Sequence, residues 1–368
     1  MKKTSEHCFV ICPPGVERLC ARELESLGIH VLAQETGGLS FDGNLQQLYR
    51  ANLWLRSANR ILVRLGTLQA RDFPSLYRKA SQLPWGKFLR SSAQLEVQVS
   101  AHHSRLNHSG RIAETLLAAC DRALGSGTGN AAATNPQQLF VRFEQDQCTL
   151  SIDSSGERLH RRGYRHCPSQ APLRENLAAA CLLQLGWDGK VPFMDAFCGS
   201  GTLVIEAALL ASRRAPGLQR PFAFMGWPGY RAGLWQVLCD EARQQQIVPV
   251  VTLYAGDLDA PSLEQAQANA ARAGVADWIN WQQGDFTTLL PTESEGLWLS
   301  NPPYGLRLER ASHLPALLSR LRQHQQARLP GWQAVVLLPR QLLAKQRPRL
   351  AFRHGGLAVG LYPFSALP

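Results

Sequence analysis

Asp195-Ala196-Phe197-Cys198-Gly199-Ser200-Gly201-Thr202 is the motif from which the fold of this chain can be predicted. It leaves a hydrophobic run at residues 191–197 and enters a run of helical periodicity at residues 203–213. Glycines in such a strand-to-helix turn let the backbone approach a ligand closely at the carboxyl edge of a sheet. The lysine of a P-loop and the third glycine of a nicotinamide-binding turn are both missing. The stretch therefore predicts an α/β domain with a ligand over this turn.

Around this turn, hydrophobic runs of strand length alternate with runs of helical periodicity. Buried continuous strands that alternate with helices are typical of a doubly wound α/β sheet. The predicted strands cover residues 191–197, 250–256, 279–283, 297–300 and 332–338, and the predicted helices cover residues 173–185, 203–213, 262–273 and 314–324. We predict that this Rossmann-like domain spans residues 166–368.

The first part of the chain has shorter elements. A strand, a helix, a hairpin, a helix and a strand follow one another, which is the β-α-β-β-α-β order of a small ferredoxin-like domain. This first domain is predicted at residues 1–70. A second α+β unit is predicted at residues 71–165, and a Gly-rich loop within it at residues 125–134.

Carboxylates follow two predicted strands of the third domain. A carboxylate at the position of Asp257 or Asp259 can accept both ribose hydroxyls of a nucleoside-containing cofactor. A helix N-cap before Pro261 explains these acids equally well. Asp285 and Phe286 end the next strand and offer a carboxylate for an exocyclic amine and a ring beside a purine. For Asp285 alone, an acid in a simple turn is the commoner explanation.

Asn301-Pro302-Pro303-Tyr304 is the sharpest motif, and it directly follows the predicted strand at residues 297–300. The prolines fix the backbone and have no N–H, so their carbonyl oxygens stay available as acceptors. The Asn301 amide oxygen and the Pro302 carbonyl then form two acceptors for an –NH2 group, and Tyr304 offers a face for a planar base. Such a group can hold an amine so that its lone pair points at a methyl donor, and positioning supplies much of the rate. A proline turn would explain this motif in isolation, but not four strand-end motifs in a consistent order.

Together, the four strand-end motifs resemble those of class I methyltransferases that modify exocyclic amines with S-adenosylmethionine as donor. Ala215-Pro216-Gly217-Leu218-Gln219-Arg220-Pro221-Phe222-Ala223-Phe224, with Trp227-Pro228, resembles the insertion of RNA guanine-N2 methyltransferases that carry a THUMP domain. Pro172-Leu173-Arg174-Glu175-Asn176-Leu177-Ala178 is similar to that family's helix before the first motif. Residues 1–165, including Arg162-Gly163-Tyr164-Arg165, are similar to its ferredoxin-like and THUMP domains. Within the family, the chain most resembles the bacterial enzymes that make N2-methylguanine in 23S ribosomal RNA, in the form without a second fused methyltransferase domain.

The resemblance implies an S-adenosylmethionine site and a target-base site at one edge of the sheet. Asp259 would bind the ribose, Asp285 the adenine, and the residues from Phe197 to Thr202 the methionine end of the cofactor. Asn301, Pro302, Pro303 and Tyr304 would hold the guanine as the catalytic group. The implied cofactor contacts are Asp195, Phe197, Cys198, Gly199, Ser200, Gly201, Thr202, Asp257, Asp259, Asp285, Phe286 and Asn301.

The sequence departs from the family pattern in two places. Ala196-Phe197 stands where the family often has a pair that contains proline, which is a conservative change. Leu306-Arg307-Leu308 follows Gly305 where an acid often follows the glycine, and this difference bears on contacts to the substrate.

Positive charge is in excess, with a formal net charge of +11 and a pI of about 9.5. The excess is larger in residues 1–165 than in residues 166–368. Such a balance favours a polyanionic partner. Four arginines could contact RNA phosphates: Arg158, Arg161, Arg162 and Arg165. A solvated linker between domains is the alternative explanation, and the THUMP resemblance favours RNA.

The sequence predicts no membrane span, metal site or disulfide. No apolar run reaches the roughly 18 residues of a membrane-spanning helix, and Pro13-Pro14 interrupts the first apolar stretch, so we expect a cytoplasmic protein. The nine cysteines are expected to be free thiols;. His102, His103 and His108 are expected to be loop histidines rather than metal ligands.

These patterns and the resemblance together predict methylation of a guanine N2 in structured RNA, with 23S rRNA or a ribosomal precursor as the partner. Adenine N6 in RNA or DNA and a glutamine side-chain amide remain open as substrates. A further alternative is a non-catalytic RNA-binding ribosome assembly factor. The oligomeric state is open between monomer and homodimer.

Overall fold

The structure is a computed structural model that describes residues 5–91, 93–125, 136–165, 172–303 and 314–367. Tyr304 and most of the loop predicted at residues 125–134 lie outside these ranges. Within them, the chain forms one seven-stranded sheet in its N-terminal part and another in its C-terminal part.

The first sheet begins with the ferredoxin-like arrangement that the sequence predicts. Its elements are β1 (Glu6–Ile11), α1 (Glu17–Ser26), β2 (Ala33–Glu35), β3 (Gly38–Gly43), α2 (Leu45–Trp54) and β4 (Arg60–Gln69). β1 lies between β3 and β4 and pairs antiparallel with both. A capping box begins α2, because the Asn44 and Gln47 side chains each accept a hydrogen bond from the other residue's backbone amide;. The ferredoxin-like prediction is confirmed.

The second unit continues the same sheet. It consists of α3 (Phe73–Ala80), β5 (Leu95–His102), α4 (Ser109–Leu124), β6 (Gln137–Glu144) and β7 (Gln147–Asp153). β7 pairs antiparallel with β4, which gives the strand order β2-β3-β1-β4-β7-β6-β5. β4 is ten residues long, so β1 pairs with its first part and β7 with most of its length. The sequence predicts both units, but not the pairing that joins them.

The second sheet confirms the doubly wound prediction. Its elements are α5 (Glu175–Gln184), β8 (Phe193–Asp195), α6 (Thr202–Ala211), α7 (Ala232–Gln244), β9 (Leu253–Asp257), α8 (Ala260–Ala273), β10 (Ile279–Gln283), β11 (Gly296–Ser300), α9 (Leu314–Arg328) and β12 (Trp332–Pro339). The strand order β10-β9-β8-β11-β12 is parallel throughout. The order reverses at β8, and ligands of such sheets bind at the carboxyl ends beside this reversal.

An antiparallel hairpin that the sequence does not predict completes this sheet. β13 (Leu350–His354) and β14 (Leu357–Pro363) pair with each other, and β14 pairs antiparallel with β12. Gly355 and Gly356 connect them with φ angles of 55° and 85°. A Gly-Gly pair between alternating residues is a hairpin signal that was available in the sequence.

The insertion between α6 and β9 packs against the N-terminal sheet. Its side chains join the hydrophobic core of the first two units through Phe222, Phe224 and Trp227. The rings of Phe224 and Tyr49, on α2, are stacked with centroids 4.2 Å apart. The Trp227 indole donates a hydrogen bond of 2.9 Å to Gln137 at the start of β6. The insertion therefore belongs to the third domain by sequence and to the N-terminal core by packing.

Candidate functional site

The glycine turn after β8 is built for close approach to the backbone. Gly199 and Gly201 have φ angles of 51° and 83°, which favour glycine;. A Cβ on Gly201 would lie 3.0 Å from the Cβ of Ala266 on α8, so the packing leaves little room for a side chain. No side chain caps the N-terminus of α6. Its first backbone amides and the positive end of the helix dipole therefore face this turn.

Asp195 connects the turn to the end of β11. Its carboxylate is 1% exposed and accepts hydrogen bonds from the Ser300 hydroxyl at 2.9 Å and the Phe197 amide at 3.2 Å. The Ser300 oxygen in turn accepts from the Ala196 amide at 3.0 Å and the Trp298 indole at 3.1 Å. Burial raises the pKa of Asp195 to about 7, and the hydrogen bond from Ser300 opposes this shift. The Ser300 hydroxyl thus links the end of β11, directly before Asn301, to the start of the glycine turn.

Asp257 and Asp259 have different roles at the end of β9. The Asp257 carboxylate accepts from the Gly199 amide at 2.8 Å and from the Asp259 amide at 3.0 Å, so it braces the glycine turn. Asp259 is exposed and caps α8 by accepting from the Ser262 amide at 3.0 Å. Hydrogen bonds from Ser262 lower the pKa of Asp259. The N-cap explanation therefore holds for Asp259;.

Asp285 and Phe286 lie together at the end of β10. Phe286 is buried, and its ring centroid is 5.6 Å from that of Phe197. Arg320, on α9, donates to both oxygens of Asp285 at 3.1 and 3.2 Å and lies 5.1 Å from the Phe286 ring. Burial raises the pKa of Asp285, but hydrogen bonds from Thr287 and the charge of Arg320 outweigh it and leave the pKa lowered. Sequence reasoning missed Arg320, because nothing local to α9 points to Asp285.

Asn301, Pro302 and Pro303 follow β11 directly, and Asn301 is half-buried. Because β10, β9, β8 and β11 are consecutive parallel strands, the ends that carry Asp285, Asp257, Asp195 and Asn301 lie in sequence along one edge;. The structure therefore brings together the residues predicted for the cofactor and for the amine. Tyr304 is outside the described residues.

The four predicted RNA-binding arginines are separated by their surroundings. Arg158 and Arg161 are exposed. Arg162 is 3% exposed and forms an ion pair of 3.4 Å with Glu206 on α6. Arg165 is half-buried and pairs with Glu175 at 3.3 Å. Arg162 is therefore part of the interior and is shielded from solvent, whereas Arg158 and Arg161 are accessible to it.

The structure also bears on membrane spans, metal sites and cysteines. Among the described residues, no helix is long and apolar enough to cross a membrane, and no group of three His, Cys, Asp or Glu side chains is arranged to hold a metal ion. The eight cysteines within those ranges are buried and free.

Family comparisons agree with this architecture. The model of the RMKL-like methyltransferase domain matches residues 162–352. The chain belongs to this family. The RlmL ferredoxin-like domain matches residues 7–62 and the THUMP domain matches residues 70–153. The predicted fold class is confirmed in all three of its parts.

Three relatives of this methyltransferase family are informative. The ribosomal RNA large subunit methyltransferase K/L of Syntrophotalea carbinolica is 36% identical over 92% of the chain, which spans 50% of that protein's length. A Synechocystis sp. protein provisionally named as an RNA methyltransferase is 31% identical, over 98% of the chain and 97% of its own length. A solved structure provisionally named as a methyltransferase, in complex with SAH, is 29% identical and superposes with a TM-score of 0.87, over 99% of the chain and 98% of its own.

Proposed function

We propose that this protein transfers a methyl group from S-adenosylmethionine to the exocyclic N2 of a guanine in structured RNA, with 23S rRNA as the candidate substrate. The observation that carries the proposal is the alignment of four strand ends along one sheet edge, with Asn301 beside the glycine turn. The THUMP match and the name of the Syntrophotalea carbinolica relative support RNA as the substrate class. RNA or a ribosomal precursor would then be the partner, and the cytoplasm the location.

The residues at the sheet edge fit S-adenosylmethionine. The uncapped N-terminus of α6 and the positive φ angles of Gly199 and Gly201 suit close backbone contact with the cofactor's carboxylate end;. We assign the ribose to the carboxylates after β9 and the adenine to the pocket beside Phe286. The bound cofactor supplies a methyl group on a positively charged sulfur. The name of the neighbour solved with SAH supports the same choice.

Asn301 and Pro302 are assigned to the amine. Their two oxygens would accept hydrogen bonds from the two N–H groups of the amine and orient its lone pair toward the methyl group. Ser300 positions this pair of acceptors, because its hydroxyl donates a hydrogen bond to Asp195 on the neighbouring strand. Tyr304 would stack on the base, which would leave its helix by flipping. Arg158 and Arg161 are assigned to the RNA backbone.

Asn301→Ala tests the mechanism. We expect at least about a 100-fold loss of turnover on rRNA from a deletion strain, because the amine is no longer oriented. S-adenosylmethionine affinity, measured by calorimetry, should stay close to wild type. Asn280→Ala, at an exposed position of β10, is the matched control and should keep full turnover. Normal turnover in Asn301→Ala would refute the assigned role.

Nucleoside mass spectrometry of RNA from the deletion strain tests the substrate. Loss of an N2-methylguanine from 23S rRNA supports the proposal. Loss confined to N6-methyladenine would move the activity to adenine, and an unchanged RNA profile would turn attention to a protein amide. Failure of the purified protein to bind S-adenosylmethionine would favour a non-catalytic assembly factor.

A further inference from the structure

Asn269 is a polar residue in the buried side of α8. It stands in the alanine-rich stretch of residues 266–273, and asparagine is disfavoured in a helix interior relative to alanine;. Its side chain is 0% exposed, so its polar atoms need partners inside the protein;. The amide nitrogen donates to the Ser200 carbonyl at 2.9 Å, and the amide oxygen accepts from the Arg272 guanidinium. Contacts outside the helix ladder therefore explain an asparagine at this position.

The Ser200 carbonyl belongs to the last peptide before α6, because Gly201 is the N-cap of that helix. The other polar group of this peptide, the Gly201 amide, donates to the Cys198 carbonyl at 2.7 Å. Asn269 thus completes the hydrogen bonding of the peptide and fixes its plane. The next amides along the chain are the first of α6, which have no acceptor within the helix. Their direction follows from the peptide that Asn269 holds.

Arg272 holds the other end of the Asn269 side chain. One Nη atom of Arg272 donates to Asn269, and its Nε atom donates to the Tyr164 carbonyl at 2.7 Å. Tyr164 is 1% exposed in the core of the second sheet, and its hydroxyl donates to Glu206 on α6 at 3.3 Å. Hydrogen bonds therefore run without a gap from this fixed tyrosine, through two side chains of α8, to the glycine turn.

We propose that Asn269 and Arg272 are positioning residues for S-adenosylmethionine, which set the direction of the amides that receive its carboxylate. This proposal rests on the proposed function, which places that carboxylate at the start of α6. Asn269 acts through the peptide between Ser200 and Gly201, and Arg272 acts through Asn269. The planar guanidinium of Arg272 donates in two fixed directions, so it holds Asn269 at a set distance from Tyr164. Loss of either side chain should weaken cofactor binding and leave the rate at saturating cofactor unchanged.

Calorimetry on the full-length protein measures the effect. Asn269→Ala should weaken S-adenosylmethionine binding about tenfold, and Arg272→Met should weaken it about threefold. The two losses should not add, because Arg272 acts through Asn269. In an Asn269→Ala background, Arg272→Met should therefore change the affinity less than about twofold. Methylation assays on rRNA should show a higher KM for S-adenosylmethionine, with kcat within about twofold of the wild-type value.

Two matched variants control for a general loss of stability. Asn52→Ala removes a buried asparagine of α2 whose amide donates to the Ser154 hydroxyl. Arg214→Met removes a half-buried arginine that donates to the Ala273 and Gly274 carbonyls at the end of α8. Both variants should lower the thermal midpoint, because buried acceptors lose their donors. Both should keep the wild-type affinity for S-adenosylmethionine, since neither side chain reaches the glycine turn.

5′-Methylthioadenosine separates positioning from general damage to the site, because it lacks the amino-acid end of the cofactor. Asn269→Ala should bind it within about twofold of the wild-type affinity, since no carboxylate meets the amides of α6. An equal loss for both ligands, or wild-type affinity for S-adenosylmethionine in Asn269→Ala, would refute the positioning role and leave the proposed function intact. Additive losses would refute the action of Arg272 through Asn269.

The proposed function fails in other ways. Methylation of adenine, with the cofactor affinities changed as expected in the variants, would overturn the choice of guanine and keep the positioning role. A wild-type protein that binds no S-adenosylmethionine would overturn both.

Discussion

The structure treats two groups of predicted functional residues in opposite ways: it brings one group together and separates the other. At the edge of the second sheet, the ends of β10, β9, β8 and β11 come together although they are far apart in the chain. In residues 158–165, arginines that are close neighbours in sequence are dispersed between solvent and interior. Parallel strand order fixes where carboxyl ends lie, whereas an irregular segment has no period that fixes the direction of each side chain. Sheet topology thus gathers distant residues, and the loop separates adjacent ones.

Replacing Arg162 should have the largest effect, because its side chain is buried. Arg162→Ala leaves Glu206 buried without its ion pair, and we expect the free energy of unfolding to fall by about 3–5 kcal/mol;. Arg161→Ala removes an exposed pair with Glu157 and should cost less than about 1 kcal/mol;. Urea denaturation measures both. Equal effects would show that the two arginines are equivalent after all. Replacing Arg162 and Glu206 together by apolar residues should restore part of the loss.

Gly201→Ala tests whether the sheet edge depends on the glycine turn as closely as the geometry indicates. The positive φ of Gly201 and the neighbouring Ala266 should make the change cost about 1–3 kcal/mol, and calorimetry should show weaker S-adenosylmethionine binding;. Gly233→Ala is the matched control, since nothing lies within 4 Å of its new Cβ and α7 favours alanine;. A fully stable Gly201→Ala with normal cofactor affinity would argue against the constraint.

Asp195→Asn tests the electrostatics of the sheet edge. Burial raises the pKa of Asp195 to about 7, so the wild type loses the contribution of the protonated carboxyl as pH rises from about 4 to about 7;. The free energy of unfolding of the variant, relative to that of the wild type, should rise by at least about 1 kcal/mol across this pH window and should stay constant above it.

Asp285→Asn is the counterpart with opposite sign. The pKa of Asp285 is lowered, so ionised Asp285 stabilises the fold of the wild type;. This extra stability over the variant should be lost as the pH falls below the ordinary pKa of an aspartate. Urea denaturation across pH measures both differences. Parallel pH profiles for the two variants would contradict the assigned environments.

The strand ends were predictable because their causes are local. Continuous apolar runs gave the parallel strands, and Gly199 with Gly201 located the turn between β8 and α6. The helix limits were also close to prediction, as at α8, which was predicted at residues 262–273 and is observed at Ala260–Ala273. Most of the site follows from these elements, since the order of parallel strands places their ends side by side.

The remaining features depend on contacts between distant segments. Arg320 reaches Asp285 from α9, and the Ser300 hydroxyl joins Asp195 from another strand. The sequence around Phe224 and Trp227 resembles that of a known family, but it does not indicate that these side chains pack in the N-terminal core. The burial of Arg162 depends on Glu206, which lies on α6. None of these pairings has a signature within a short window of sequence.

The pairing of β4 with β7 determines how the protein can be divided into fragments. A fragment that ends near residue 70 would expose the full length of β4, a ten-residue strand, as an open edge. A fragment that begins there would expose β7 in the same way. Open edges of this length recruit other strands, so we expect both pieces to aggregate when produced separately. The first position where the chain can be cut without separating paired strands of this sheet is after Asp153. The two N-terminal units should therefore be produced together as a single fragment.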